Sequence, residues 1–254
     1  MGSAILSGRV DYVRITDPVT MRKAQSIPGL STANYNQSVI QATFINNKKK
    51  PFFSEYATPK EELAKRLGYQ PDPAASIKEA RALLAAAGYP NGINGLDFMV
   101  RDIAIFKLWS QGIQAMKEAL NVKCNLRIVV ESVWFEDATS GHFDLAIGAV
   151  VGTLDPSDSF SAWYGKDGPQ NYSFWDNKEF QALTPRIDRE VDPAQRLPLV
   201  HQAEAIMEQD PPLLPVAWER INEIWYSYVK GLNPAAYFGI FDVVRLDTVW
   251  LHKS

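Results

Sequence analysis

The sequence predicts a mixed α/β fold in which helices flank a largely parallel sheet. Strand-like and helix-like patterns alternate between residues 96 and 151, an order that is typical of parallel strands joined by helices. Within this region, the apolar run from Phe143 to Val151, which is unbroken over residues 145–151, suits a strand that is buried on both faces. Upstream of it, residues 77–87 carry apolar side chains at helical spacing, which indicates an amphipathic helix.

The other elements are predicted from periodicity and turn residues. Gly8 is expected to end a first helix, and Asp17 followed by Pro18 is expected to begin a second. Further strands are predicted over residues 10–15, 38–44, 96–100, 124–130 and parts of 213–251, and further helices over 58–68, 106–120, 133–139, a short stretch after 156, 176–187 and 192–207.

Two capping boxes fix helix starts in this scheme. Ser76 with Glu79, and Asp176 with Glu179, each have the spacing at which a side chain caps the N-terminus of a helix. Gly88 follows the apolar stripe where a C-terminal glycine in the left-handed conformation is expected.

Composition excludes several classes of protein. The chain has 254 residues with 26 Lys and Arg against 29 Asp and Glu, so it lacks the basic excess expected of a nucleic-acid binder. That length fits one large domain or two small lobes. Cys124 is the single cysteine, which excludes an internal disulfide and a cysteine-based zinc cage. The sequence contains no run of 18 apolar residues that would indicate a membrane span.

Catalytic motifs are absent from the sequence. It contains no nucleophile elbow, no phosphate-binding glycine loop and no paired histidines at metal-binding spacing. His142 and His201 leave open an α/β hydrolase-like enzyme, but no motif supports it. We therefore expect no catalytic residue, no metal and no cofactor.

A region rich in acids and aromatic rings follows the predicted central strand. Asp155 opens it, and Tyr172 is among its rings. Most of these residues are interpreted as caps and core, but ligands of α/β sheets bind in loops at the carboxyl ends of strands. We therefore expect some of them to face a ligand.

Several segments resemble one known family. Residues 72–92 read DPAASIKEARALLAAAGYPNG, residues 8–12 read GRVDY, and residues 141–145 read GHFDL with Asp155-Pro156 downstream. In chain order, these segments are similar to segments of the family 5 extracellular solute-binding proteins. These proteins are the receptors of ABC importers for peptides, nickel and oligosaccharides. The closing segments at 210–215 and 249–251 are also similar.

The resemblance implies a periplasmic-binding-protein-like lobe plus part of a second lobe. Family members are longer, so the chain resembles their C-terminal portion. The implied arrangement is that residues 1–54 and 219–254 belong to a first lobe and residues 55–218 form the second. Peptide-binding members carry an aspartate for the ligand ammonium where this sequence has Thr153, which leaves both a peptide and a small non-peptide solute open.

The resemblance also implies a function. The chain would capture a solute in a cleft between lobes for a membrane permease, in the periplasm or outside the cell. The expected ligand-binding residues are Thr153 and Asp155 for hydrogen bonds, Arg101 as counter-charge for an anionic group, and Phe106, Trp134 and Tyr172 as apolar walls. A structural fragment without independent binding is the other alternative, and an incomplete sheet would favour self-association.

Overall fold

The computed structural model describes residues 2–15, 17–45, 72–151, 155–232 and 247–252. The chain divides into two compact units. Unit 1 comprises residues 1–40, 150–154 and 217–254, and unit 2 comprises residues 41–149 and 155–216. Among the helices of the described residues, none is long and apolar enough to span a bilayer. The helix predicted over residues 58–68 lies outside the described residues.

Helices and strands alternate through most of the described chain. In chain order the elements are α1 (Gly2–Leu6), β1 (Tyr12–Ile15), α2 (Pro18–Gln25), β2 (Leu30–Ile45), α3 (Pro73–Ala86), β3 (Ile93–Arg101), α4 (Ala104–Ala119), β4 (Val122–Val129), α5 (Glu131–Ser140), β5 (Leu145–Val151), α6 (Pro156–Ser159), a π-helical turn (Phe160–Tyr164), α7 (Lys178–Arg189), α8 (Pro193–Gln209), β6 (Leu213–Tyr226), β7 (Val229–Lys230) and β8 (Trp250–Leu251).

Unit 1 is built on an antiparallel pair. β1 pairs with β6, with Val13 opposite Ile224. Both side chains are buried with Ile5 of α1 and Met21 of α2, so two short helices cover one face of the pair. α2 begins as predicted, because the carboxylate of Asp17 accepts hydrogen bonds from the first turn of the helix.

Unit 2 contains the predicted parallel strands. β3 pairs in parallel with β4 on one side and with β5 on the other. The chain thus passes from β3 to β4 through α4, and then returns past β3 to β5 through α5. The prediction that these three strands share one largely parallel sheet is confirmed.

The core of unit 2 lies between this sheet and α4. Phe98 and Val100 of β3, Leu145 of β5, and Phe106 and Ile113 of α4 are all buried in it. The apolar spacing that predicted α4 is therefore the spacing of its buried face.

Both predicted capping boxes are wrong in position. α3 begins at Pro73, and its cap is Asp72, whose carboxylate accepts a hydrogen bond from the Ala74 N–H at 2.9 Å. Ser76 lies inside the helix, and its buried hydroxyl has no hydrogen-bond partner among the described residues. α7 is likewise capped by Asn177 and not by Asp176. In each case an Asp or Asn closer to the helix start supplies the oxygen that the predicted residue would have supplied.

The predicted end of α3 is confirmed. Gly88 has a φ of 94°, the left-handed conformation that costs glycine little. The next residue, Tyr89, donates its N–H to the carbonyl of Leu84 at 2.8 Å, which closes the last turn of the helix.

Candidate ligand-binding site

Arg101 occupies the carboxyl end of the central strand of unit 2. It is the last residue of β3 and pairs in register with Val129 of β4. The next residue, Asp102, donates its N–H to the Val129 carbonyl at 2.8 Å, so β3 and β4 end together. Because β3 has a parallel neighbour on each side, its carboxyl end is where an open α/β sheet offers a ligand crevice.

Three aromatic rings surround the Arg101 guanidinium. Its central carbon lies 5.2 Å from the ring centroid of Phe106, 5.5 Å from that of Trp134 and 5.2 Å from that of Phe135. Phe106 belongs to α4, whereas Trp134 and Phe135 belong to α5. The two connecting helices therefore converge on one cation, which is favoured by the negative faces of the rings.

Glu131 supplies the counter-charge. Arg101 donates from Nη2 to Oε1 of Glu131, the first residue of α5. The two partners differ in exposure, because the Arg101 side chain is 15% exposed and the Glu131 side chain is 61% exposed. A carboxylate in the first turn also suits the positive end of the helix dipole.

Tyr172 and Trp163 form a second layer of rings. Tyr172 packs edge-to-face on Trp134 at 5.4 Å and on Trp163 at 6.2 Å. Burial raises the pKa of the Tyr172 phenol, and the positive charge of Arg101 opposes that rise. The phenol is therefore neutral at physiological pH. We call Arg101, Phe106, Glu131, Trp134, Phe135 and Tyr172 the Arg101 cluster.

Asp155 caps a helix and forms an ion pair. Its carboxylate accepts from the Ser157 N–H at 2.8 Å, which begins α6, and from Arg196 Nη1 of α8 at 2.9 Å. Arg196 holds the pKa of the Asp155 carboxyl at about 2, with help from the Ser157 N–H. Asp155 thus fastens the segment after β5 to α8, and any ligand hydrogen bond would share these oxygens.

The sequence identified much of this cluster and missed part of it. Of the predicted site residues, Arg101, Phe106, Trp134 and Tyr172 lie together, while Thr153 lies outside the described residues. Glu131 and Phe135 were not predicted. Their position in the sequence could have indicated them. Glu131 and Phe135 both follow the end of β4, and β4 ends at the same edge of the sheet as β3.

The cluster brings together groups that can bind a ligand. A guanidinium, a carboxylate and aromatic rings can orient an anionic or aromatic ligand, but a phenol with a raised pKa is not an activated nucleophile. His142, considered as a catalytic base, has its Nδ1 3.5 Å from Asp137 and its side chain is largely exposed. Within the described part of the chain, no three His, Cys, Asp or Glu side chains are grouped to hold a metal.

A cavity of about 370 Å³ lies at the opposite edge of the sheet. Gly92 and Asn121, which line it, stand at the amino ends of β3 and β4. Two of its polar side chains are held by backbone carbonyls, since Arg81 donates to the Ala119 carbonyl at 2.6 Å and the Asn121 amide donates to the Asn91 carbonyl. The Arg101 cluster is therefore the better candidate for a ligand site.

Curated relatives of this chain are solute-binding proteins. The chain is 26% identical over 173 residues to a probable deoxycholate-binding periplasmic protein, YgiS, of Escherichia coli, a match that covers 63% of this chain and 31% of the relative. It is 26% identical over 143 residues to the dipeptide-binding protein DppE of Bacillus subtilis, covering 56% of this chain and 25% of the relative. The chain thus spans about a third or less of these relatives. No family model matches it.

The fold is shared with solved binding proteins. The structure of the ABC transporter-associated periplasmic binding protein DppA of Helicobacter pylori, in complex with the peptide STSA, superposes with a TM-score of 0.77 at 18% identity and covers 99% of this chain and 54% of that protein. The predicted fold and the predicted resemblance to solute-binding proteins are confirmed. None of these matches supports the hydrolase alternative.

Proposed function

We propose that this chain is the solute-binding part of a receptor for an ABC-type importer, and that its ligand contacts the Arg101 cluster. The observation that carries the proposal is a ring-lined guanidinium at the carboxyl end of the central parallel strand. Such a site offers an anionic group one strong partner and offers an apolar group a wall. The binding proteins among the relatives support the same function.

In this proposal the ligand is a peptide or a small non-peptide solute with an anionic group. One relative is named for dipeptide binding and another for deoxycholate, and both ligand types carry a carboxylate. Thr153 carries no negative charge that could pair with the ammonium group of a peptide. A non-peptide anion has no ammonium group and does not need such a partner.

The proposal includes the lobes and the partner implied by the family. Residues 1–54 and 219–254 would belong to a first lobe, residues 55–218 would form the second, and a membrane permease would receive the solute. A periplasmic or extracellular location follows from the same proposal and agrees with the names of the relatives.

Titration calorimetry with a dipeptide, a tripeptide and deoxycholate tests the proposed function. We expect at least one ligand to bind and to raise the melting temperature by mass action. Arg101→Gln should weaken that binding by about tenfold or more, since a charge-assisted bond is lost. Lys78→Gln, a substitution of an exposed cation on α3, is the matched control. Binding that is unaffected by Arg101→Gln would exclude the Arg101 cluster as the site.

A further inference from the structure

We propose that the Glu131 carboxylate pairs with Arg101 in the place that a ligand carboxylate would take. A carboxylate ligand with an apolar body then binds by displacing Glu131 from Arg101. This inference rests on the proposed function and adds to it a ligand class and a residue that sets affinity. It follows from the unequal exposure of the two charges and from the one Arg101 donor, Nε, that has no acceptor among the described residues.

Arg101 needs an anionic partner at all times. Its side chain is mostly buried among Phe106, Trp134 and Phe135. Rings attract a cation but do not replace the solvation that burial removes, so a counter-charge has to accompany the guanidinium. Glu131 fills this role, and a ligand carboxylate could fill it equally well.

Glu131 is a partner that can be exchanged. Most of its side chain is exposed, so water can solvate its carboxylate once it leaves Arg101, and screening weakens the pair. Its hydrogen bond uses Arg101 Nη2. The buried Nε of Arg101 has no acceptor among the described residues, so Glu131 satisfies the guanidinium only in part.

The surroundings select what replaces Glu131. A carboxylate that uses two donors of the guanidinium is bound more strongly than one that uses a single donor. Phe135 is 40% exposed beside the guanidinium, so an apolar group attached to the carboxylate could cover a ring that Glu131 leaves in water. The favoured ligand is therefore a carboxylate joined directly to an apolar or aromatic body.

A pair of probes that differ in charge tests the exchange. 3-Phenylpropanoate carries a carboxylate, and 3-phenylpropanamide has nearly the same shape without the charge. By titration calorimetry we expect the wild-type chain to bind the acid and to discriminate strongly against the amide. Glu131→Gln should bind the acid roughly fivefold more tightly, because a competitor worth about as much as an exposed ion pair is removed. Arg101→Gln should lose the preference for the acid.

The matched control is Glu136→Gln, which removes an exposed carboxylate from the same helix and should bind the acid like the wild type. A second measurement does not depend on affinity. Glu131→Gln leaves Arg101 without its counter-charge, so its melting temperature should fall, and the acid should restore it while the amide should not. Circular dichroism verifies that each variant is folded.

The outcomes separate this inference from the proposed function. Unchanged or weaker binding of the acid by Glu131→Gln overturns the exchange. If a dipeptide, a tripeptide or deoxycholate binds and depends on Arg101 while Glu131→Gln has no effect on the acid, the solute-binding function stands and the exchange is wrong. If none of these probes binds to any variant, both are wrong.

Discussion

Burial controls the chemistry of Cys124. Its side chain is 5% exposed in the core of unit 2, and burial raises the pKa of its thiol, an effect that the nearby charge of Lys117 opposes. Since the thiolate is the reactive form, both accessibility and ionisation disfavour reaction. The residue therefore acts as a small apolar side chain in the core.

We expect Cys124 to react slowly with a thiol reagent in the native chain and rapidly in denaturant. The disulfide-exchange reagent DTNB, followed by absorbance with and without urea, measures both rates. Cys124→Ser provides the blank. Fast, complete reaction without denaturant would mean that the core around β4 opens readily.

Asp155 gives a pH-dependent contribution to stability. Its folded pKa of about 2 lies below the value near 3.9 that is expected for an unfolded chain. The stabilisation by Arg196 is therefore complete above the unfolded pKa and is lost as the pH falls through the folded pKa. The side chain is 45% exposed, so solvent screening keeps this contribution below about 1 kcal/mol.

The variant Asp155→Asn should have a lower urea midpoint than the wild type at neutral pH. This difference in midpoint should shrink as the pH falls from about 5 to about 2. Asp167→Asn, at an exposed position in the loop before α7, should leave the pH profile unchanged. A gap between wild type and Asp155→Asn that stays constant down to the lowest pH would contradict the assigned pKa.

At the scale of elements, the start of α3 depends on one carboxylate. Asp72 accepts the Ala74 N–H, whereas the hydroxyl of Ser76 makes no hydrogen bond with the described residues. Asp72→Ala should therefore cost about 1 kcal/mol. Ser76→Ala should cause no loss of stability, because the hydroxyl that it removes is buried and makes no hydrogen bond with the described residues.

Urea unfolding of the two alanine variants measures this difference directly. Each variant serves as the control for the other, since one places an alanine at the cap and the other places it in the first turn of the same helix. A larger loss from Ser76→Ala than from Asp72→Ala would restore Ser76 as the cap.

The sequence predicted which elements form better than it predicted where they begin. Periodicity identified α4 and the three parallel strands because a buried face imposes its spacing over many residues. Helix starts depend on one local hydrogen bond, and Asp72 and Ser76 both satisfy the residue preference of a cap. Which of these two residues caps the helix depends on where the folded chain enters the helix.

The same limit applies to the candidate ligand site. Arg101 was predictable because it ends a strand, and strand ends converge in a parallel sheet. Its pairing with Glu131, and that of Asp155 with Arg196, join residues 30 and 41 positions apart. Such pairings depend on tertiary geometry that no local pattern records.

At the scale of the whole molecule, exposed apolar side chains favour association. Ile128 and Val130 are 54% and 58% exposed at the end of β4. Among the described strands, β4 pairs with β3 alone, so apolar side chains lie next to a sheet edge, where strands from other molecules can add. The net charge of −3 opposes association only weakly.

We therefore expect the chain to self-associate in a concentration-dependent manner in sedimentation velocity experiments. Replacing both Ile128 and Val130 by lysine should weaken association by about tenfold or more, since each lysine removes apolar surface and adds a charge that discourages edge pairing. Val191→Lys is the matched control, because Val191 is exposed between α7 and α8, away from β4 in sequence. If Val191→Lys dissociates the chain as effectively as the double substitution, general surface charge and not the β4 edge controls association. A wild-type chain that sediments as a monomer at every concentration would show that this edge is inert.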